Sequence, residues 1–206
     1  VTLSTIFCFI GASAALTIAP GPDNIFVVTQ GIARGRKPAI ITALGMCSGI
    51  SVHTAAAALG ISALFHSSAM AFNIVKFSGA AYLVFLAMRT IREKSSTGFS
   101  IPDESGLAKL FRRGFLMNVL NPKVALFFLA FLPQFVTPAT GSVPAQMMFL
   151  GFLFMIQATV IFSLIGYFSG SLGNWIVTQP KAAKCFNWIT AGVLFSLGIK
   201  IALSEK

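Results

Sequence analysis

Residues 124–180 contain no Lys, Arg, Asp or Glu. An uncharged run of that length is enough for two membrane-spanning helices, each needing roughly 20 predominantly apolar residues. No water-soluble globule has room for it. Composition agrees: 56% of the 206 residues are hydrophobic and only 10% are charged, against roughly 25% charged in an ordinary soluble domain. In lipid every backbone polar group must be satisfied internally. The 21 phenylalanines suit helices that are apolar all round. The chain therefore reads as an all-α polytopic membrane protein forming a single domain over 1–206.

Six apolar segments are long enough to span, at about 3–33, 39–65, 69–91, 114–136, 143–172 and 185–203. The uncharged run is split near residues 133–144, where Pro133, Pro138, Thr140, Gly141, Ser142 and Pro144 punctuate it. The net charge of +10 would suggest nucleic acid in a soluble protein. Here the basic residues fall between apolar segments and no soluble domain presents them, so nucleic acid is excluded as a partner. Arg34, Arg36 and Lys37 lie in the first loop. Arg89, Arg92, Lys94, Lys109, Arg112 and Arg113 lie in or beside the third, and Lys181 and Lys184 in the fifth. The opposite side holds only Lys200 and Lys206. The positive-inside rule puts the basic loops in the cytoplasm and both termini outside. The start lacks a basic n-region, so the first apolar segment is expected to be a permanent helix rather than a cleaved signal.

The polar stretch 92–113 reads as a flexible linker between repeat 1 (1–91) and repeat 2 (114–206). Three spans in each half place the halves in opposite orientations, the arithmetic of an inverted repeat. Each half opens on an interrupted helix. Helix 1 carries Pro20-Gly21-Pro22-Asp23-Asn24, and helix 4 carries Asn121-Pro122-Lys123 with Asn118 one turn earlier. Proline removes a backbone donor and clashes with the preceding turn. Pro20, Gly21 and Pro22 together predict a true break, with a half-helix starting near Pro22. From Arg34 back to Pro22 is about 18 Å of helix, and from Arg113 to Asn121 about 12 Å. Both breaks thus fall inside a hydrocarbon core roughly 30 Å thick.

A break frees N–H and C=O groups that lipid cannot satisfy, so it must face protein or a wet cavity. Paired breaks in matching halves are the best pointer in a sequence to a transporter binding site. Asp23 is the one carboxylate within a span; Glu93, Asp103, Glu104 and Glu205 lie in the linker or at the terminus. A mid-membrane charge costs roughly 2.5–3.5 kcal/mol on insertion scales, which marks Asp23 as functional or, alternatively, as a helix N-cap. Lys123 holds the equivalent place after the second break, where it lines a wet cavity or pairs with Asp23. Asn24, Asn118 and Asn121 add amides at the same level. Together these groups could hold a zwitterion, with Lys123 and half-helix N-termini facing its carboxylate and Asp23 its ammonium. His53, mid-helix 2, is a proton relay or a neutral hydrogen-bonded histidine. Gly45/Gly49 and Gly166/Gly170 suit close helix packing. Cys8, Cys47 and Cys185 form neither a disulfide framework nor a metal spacing. No nucleophile elbow or phosphate loop is present, so no metal, cofactor or enzymatic activity is expected.

The two proline motifs carry a resemblance. Pro20-Gly21-Pro22-Asp23-Asn24 resembles the opening motif of the LysE/RhtB family of bacterial amino-acid exporters (lysine, homoserine/threonine, leucine). Gly114-Phe115-Leu116-Met117-Asn118-Val119-Leu120-Asn121-Pro122-Lys123, with Phe127-Phe128 and Pro133-Gln134-Phe135, is similar to its second motif, and Gly79-Ala80-Ala81-Tyr82-Leu83 to its third-helix pattern. The resemblance implies an efflux permease of the bacterial inner membrane, exporting an amino acid or derivative by proton antiport with alternating access. Its partners would be the amino-acid substrate, protons and the bilayer, with homo-oligomerisation left open. Family motif positions fall on Pro20, Gly21, Pro22, Asp23, Asn118, Asn121, Pro122 and Lys123. The alternatives are export of a metal ion or other small solute, against which a lone carboxylate and one histidine make a poor cage, and a passive channel, against which the buried charges are single rather than in rings.

Overall fold

The computed structural model describes residues 1–19, 21–67, 69–92, 106–178 and 180–203. Pro20, most of the 92–113 linker and Lys206 lie outside them. The described residues are helical, without strands. Helix α1 (Leu3–Ile18) starts where the Thr2 hydroxyl accepts a hydrogen bond from the Thr5 N–H. Helix α2 (Pro22–Arg34) has proline in its first turn, where no intrahelical donor is lost. It ends at Gly35, whose φ of 89° turns the chain directly into the next helix. That helix, α3 (Arg36–Ser67), is followed by α4 (Ala69–Arg92).

Helix α5 (Leu107–Val119) begins seven residues before position 114, inside the stretch read as linker. Leu110, Gly114 and Asn118 recur every fourth residue on its buried face, while Arg112 lies exposed on the other. The segment is an amphipathic half-helix. After the break come α6 (Pro122–Leu126), a π-helical turn (Phe127–Phe131) and a 3-10 turn (Leu132–Phe135). Helices α7 (Val143–Thr178) and α8 (Pro180–Leu203) complete the chain.

Both expected breaks are present. The axes of α1 and α2 bend by 57°, and those of α5 and the segment after Pro122 by 47°. Among the described residues, two stretches, Arg36–Gly60 and Val143–Ser169, are long and apolar enough to cross a membrane, and up to four if each bent pair counts as one span.

Packing explains the small residues. Helix α3 lies against α5, α7 and α2, and α4 against α8. A Cβ at Gly45 would strike the backbone of Phe111, and one at Gly114 the Thr42 carbonyl. At Gly49 it would come within 2.9 Å of Asn118 Oδ1. Glycine on both faces is what lets α3 and α5 approach backbone to backbone. Gly166 lies 3.3 Å from Ala39 in the same sense, and Gly79 meets Ala130. An aromatic cluster wedges the second break. The Phe127 ring lies 4.8 Å from Phe131 and 5.3 Å from Phe154, and Phe9 of α1 meets Phe135 edge-on at 5.3 Å. Because Phe9 and Phe154 belong to α1 and α7, this cluster fixes the position of the segment after Pro122 against both.

Candidate functional site

The two breaks leave carbonyls without intrahelical partners, and side chains both local and distant in the chain satisfy them. At the end of α1 the Asn24 amide donates to Thr17 O at 3.0 Å and to Ile18 O at 3.2 Å. The next carbonyl, Ala19 O, accepts from Lys123 Nζ at 2.9 Å. A cation at a helix C-terminus is also where the helix dipole favours it. At the end of α5, Asn118 O accepts from the Asn121 N–H at 2.9 Å and contacts His53 Nε2 at 3.0 Å. A carbonyl cannot donate, so His53 carries its proton on Nε2 there. The Asn121 side chain caps α6, its Oδ1 accepting from the Lys123 N–H at 2.9 Å.

Residues 19 and 123 are thus joined directly, and the two interruptions form one locus. Asp23 lies at this locus in the first turn of α2, 6% exposed. Its carboxylate faces the side chains of Asn121 and Asn118 and is coupled electrostatically to Lys123 and His53. Lys123 gives its ammonium to Ala19 O rather than forming an ion pair with Asp23. Oδ1 of Asp23 is buried without a hydrogen-bond partner, and so are Oδ1 of Asn24, Oδ1 of Asn118 and Nδ2 of Asn121. Buried polar atoms are nearly always paired. The Asp23 oxygen, with the Asn118 and Asn121 atoms that face it, leaves two acceptors and one donor with capacity for a polar ligand or water.

An open cleft of about 340 Å³ reaches this locus. It runs between Pro22 and Asp23 on α2 and the face of α5 bearing Arg113, Leu116 and Met117, and includes Leu120, Asn121 and Pro122 of the break. One carboxylate, one guanidinium and one amide thus line a wall that is otherwise apolar, the usual constitution of a small-molecule site.

Of the residues expected at the site, Asp23, Asn24, Asn118, Asn121, Lys123, His53, Gly21 and Pro22 are brought together, with Pro122 opening α6; Pro20 is not described. Gly21 is where Lys123 passes, its Nζ 3.5 Å from where a Cβ would stand. Three further polar residues were not singled out. Gln157 of α7 donates to the Thr17 hydroxyl at 3.3 Å, and its Oε1 has no partner. Gln30, 1% exposed with an unpartnered Oε1, lies seven residues after Asp23 on the same face of α2. Arg113 lines the cleft. The two glutamines carried a legible signal, since an amide within an apolar span is costly unless it faces the bundle interior.

The profile of the LysE type translocator family matches residues 14–205. Over 98% of this chain and the whole of the relative, the sequence is 30% identical to an uncharacterized membrane protein of Bacillus subtilis, YrhP. It is 27% identical to a homoserine/homoserine lactone efflux protein of Salmonella typhimurium, over 95% of each chain. It is 27% identical to a leucine efflux protein of an Enterobacter species, over 87% of this chain and 86% of that one. No solved structure matches. The family match covers both helix breaks and the cluster between them, and the chain belongs to the LysE-type translocator family.

Proposed function

We infer that the chain is an inner-membrane efflux permease that exports an amino acid or derivative by proton antiport. The observation that carries this reading is the 2.9 Å hydrogen bond from Lys123 Nζ to Ala19 O, which ties the break in one half to the break in the other beside a buried carboxylate. The named efflux relatives, for homoserine and its lactone and for leucine, support the substrate class.

In this reading the bent pairs α1/α2 and α5/α6 each form one span. With α3, α4, α7 and α8 they make six, arranged as two inverted three-helix repeats. The basic loops face the cytoplasm and both termini the periplasm. The pairing of α3 with α7 and of α4 with α8 supports it, since corresponding helices of two repeats meet at a two-fold axis. Alternating access is then rocking of one repeat against the other about the shared breaks. Asp23 is the site for which the substrate ammonium and the proton compete. Protonation from the periplasmic side releases the substrate, and deprotonation toward the cytoplasm restores the site. Asn118 and Asn121 supply amides to the ligand, and Lys123 holds the breaks in register. His53, by donating to the Asn118 backbone carbonyl, holds the residue that bears one of those amides, and it is a group through which a proton could pass to Asp23.

The test is counterflow of labelled L-leucine and L-homoserine in proteoliposomes, repeated as net flux with and without an imposed pH gradient. Saturable counterflow accelerated by the gradient supports an antiporter. Flux that is linear in concentration and indifferent to the gradient supports a channel and refutes the proposal.

A further inference from the structure

The outer face of α7 carries a row of apolar residues spaced four apart. Phe152, Ile156, Val160, Leu164 and Phe168 are each about half exposed, so in a bilayer the row meets acyl chains. It ends beside Tyr167, whose ring meets that of Phe168 edge-on at 5.0 Å. Both rings fall in the last turn of Val143–Ser169, the stretch of α7 long and apolar enough to cross a membrane. Tyrosine at the end of a span sits at the level of the lipid headgroups.

The first residue of α3 reaches the same place. The Arg36 guanidinium carbon lies 4.4 Å from the centroid of the Tyr167 ring, where α3 and α7 are so close that a Cβ at Gly166 would stand 3.3 Å from Ala39. A guanidinium stacked on an aromatic face keeps its in-plane N–H donors available at the ring edge. Arg36 is exposed, and among the described residues no hydrogen bond or ion pair engages those donors. Lys37, the next residue, is also exposed. The described residues on either side, 34–40 and 164–169, include no carboxylate. From Phe168 back to Ile156 is about 18 Å of helix, against roughly 15 Å of hydrocarbon in one leaflet, half of a core about 30 Å thick. A cation is thus held at headgroup level, at the head of an apolar row long enough to carry one acyl chain.

We propose that this junction of α3 and α7 is a binding site for an anionic glycerophospholipid. The lipid phosphate takes the forked donors of Arg36, with the Lys37 charge beside it. One acyl chain lies along Leu164, Val160 and Ile156. A zwitterionic lipid is disfavoured, because its ammonium finds no carboxylate here and is repelled by both cations. The site lies apart from the helix breaks and goes beyond the export reading without depending on it.

The test is thermal unfolding of the full chain in detergent, titrated separately with dioleoylphosphatidylglycerol, dioleoylphosphatidylcholine and inorganic phosphate. A ligand that binds the folded state raises the midpoint by mass action. The wild type is expected to respond to phosphatidylglycerol at concentrations at least roughly fivefold below those needed for phosphatidylcholine, the factor for about one basic residue at a membrane surface, and not to respond to inorganic phosphate. Arg36→Gln should remove that preference and leave the response to phosphatidylcholine unchanged. Tyr167→Leu keeps both charges but loses the stack; it should also weaken the preference, and it covers the case in which Arg36→Gln fails to fold. Arg112→Gln, altering an exposed cation on α5, should behave as wild type. If Arg36→Gln or Tyr167→Leu keeps the full wild-type preference, or Arg112→Gln loses as much as Arg36→Gln, the proposal is overturned. It is overturned equally if phosphatidylcholine serves as well as phosphatidylglycerol, or if inorganic phosphate stabilises as strongly, since the site would then be a plain anion site. None of these outcomes bears on export, because no residue at the helix breaks is altered.

Discussion

Replacing Asn24 isolates the cost of the first break without altering charge. Its amide donates to Thr17 O and Ile18 O at 3.0 and 3.2 Å, while its own Oδ1 is buried and unpartnered. Asn24→Ala orphans two carbonyls and removes one orphan. If each buried orphan costs roughly 1–3 kcal/mol, the difference of one sets the expected destabilisation at roughly 1–3 kcal/mol. The lower half of that range is favoured, because hydrogen bonds between membrane helices average only about 0.6 kcal/mol in mutant cycles. Asn24→Asp has nearly the same shape but replaces the donor with a second acceptor aimed at two carbonyl oxygens. Nothing is relieved, so it should be clearly less stable than Asn24→Ala. Equilibrium unfolding in mixed micelles of rising SDS fraction measures both. An Asn24→Asp variant as stable as the wild type would refute the reasoning, since the freed carbonyls would then have another source of donors.

For Lys123→Met, one newly orphaned carbonyl, roughly 1–3 kcal/mol, and the lost attraction to Asp23 are set against relief of a buried ammonium costing roughly 2.5–3.5 kcal/mol. Unfolding should shift little while export falls at least tenfold, because the breaks are no longer tied; full export by this variant would contradict the tie. Gly45→Val should abolish folding, its side chain meeting the Phe111 backbone, whereas Gly11→Ala, with nothing within 4 Å, should be neutral or slightly stabilising; detergent-solubilised yield and monodispersity report both. A cysteine placed at Ser96 should react with an impermeant maleimide only after permeabilisation, and ready labelling of intact cells would invert the proposed topology.

The breaks were legible because proline and glycine act through the backbone, where local sequence decides. Pro22 opens α2 as expected, and Asn121 caps α6 through the dipeptide that precedes a proline at the first helical position. The start of helix 4 was missed for a physical reason: Lys109, Arg112 and Arg113 give residues 107–113 the composition of a loop, and only the four-residue recurrence of Leu110, Gly114 and Asn118 reveals a buried stripe. Pro133 marked the 3-10 turn over Leu132–Phe135, but the π turn over Phe127–Phe131 had no local signal, because packing of Phe154 from another helix accompanies it. At the site, the residue types were legible and their partners were not. The Lys123 ammonium lands on a carbonyl 104 residues away, a pairing set by tertiary packing alone. Arg113 read as one more orientation charge, whereas the structure stacks it on Phe26 beside the cleft.

The central claim is that Asp23 is the shared site for substrate and proton, and the most direct measurement is net export by Asp23→Asn in proteoliposomes under an imposed pH gradient. The N-cap of α2 is Gly21, without a side-chain cap hydrogen bond, so the expected alternative of Asp23 as N-cap does not hold; asparagine keeps the shape of Asp23 and removes only its charge. The account predicts a folded, inserted protein whose gradient-driven export is abolished and whose residual flux no longer depends on pH. Export at the wild-type rate with unchanged pH dependence would reduce Asp23 to a first-turn charge that complements the α2 dipole and move the coupling site elsewhere, with His53 the next residue to test.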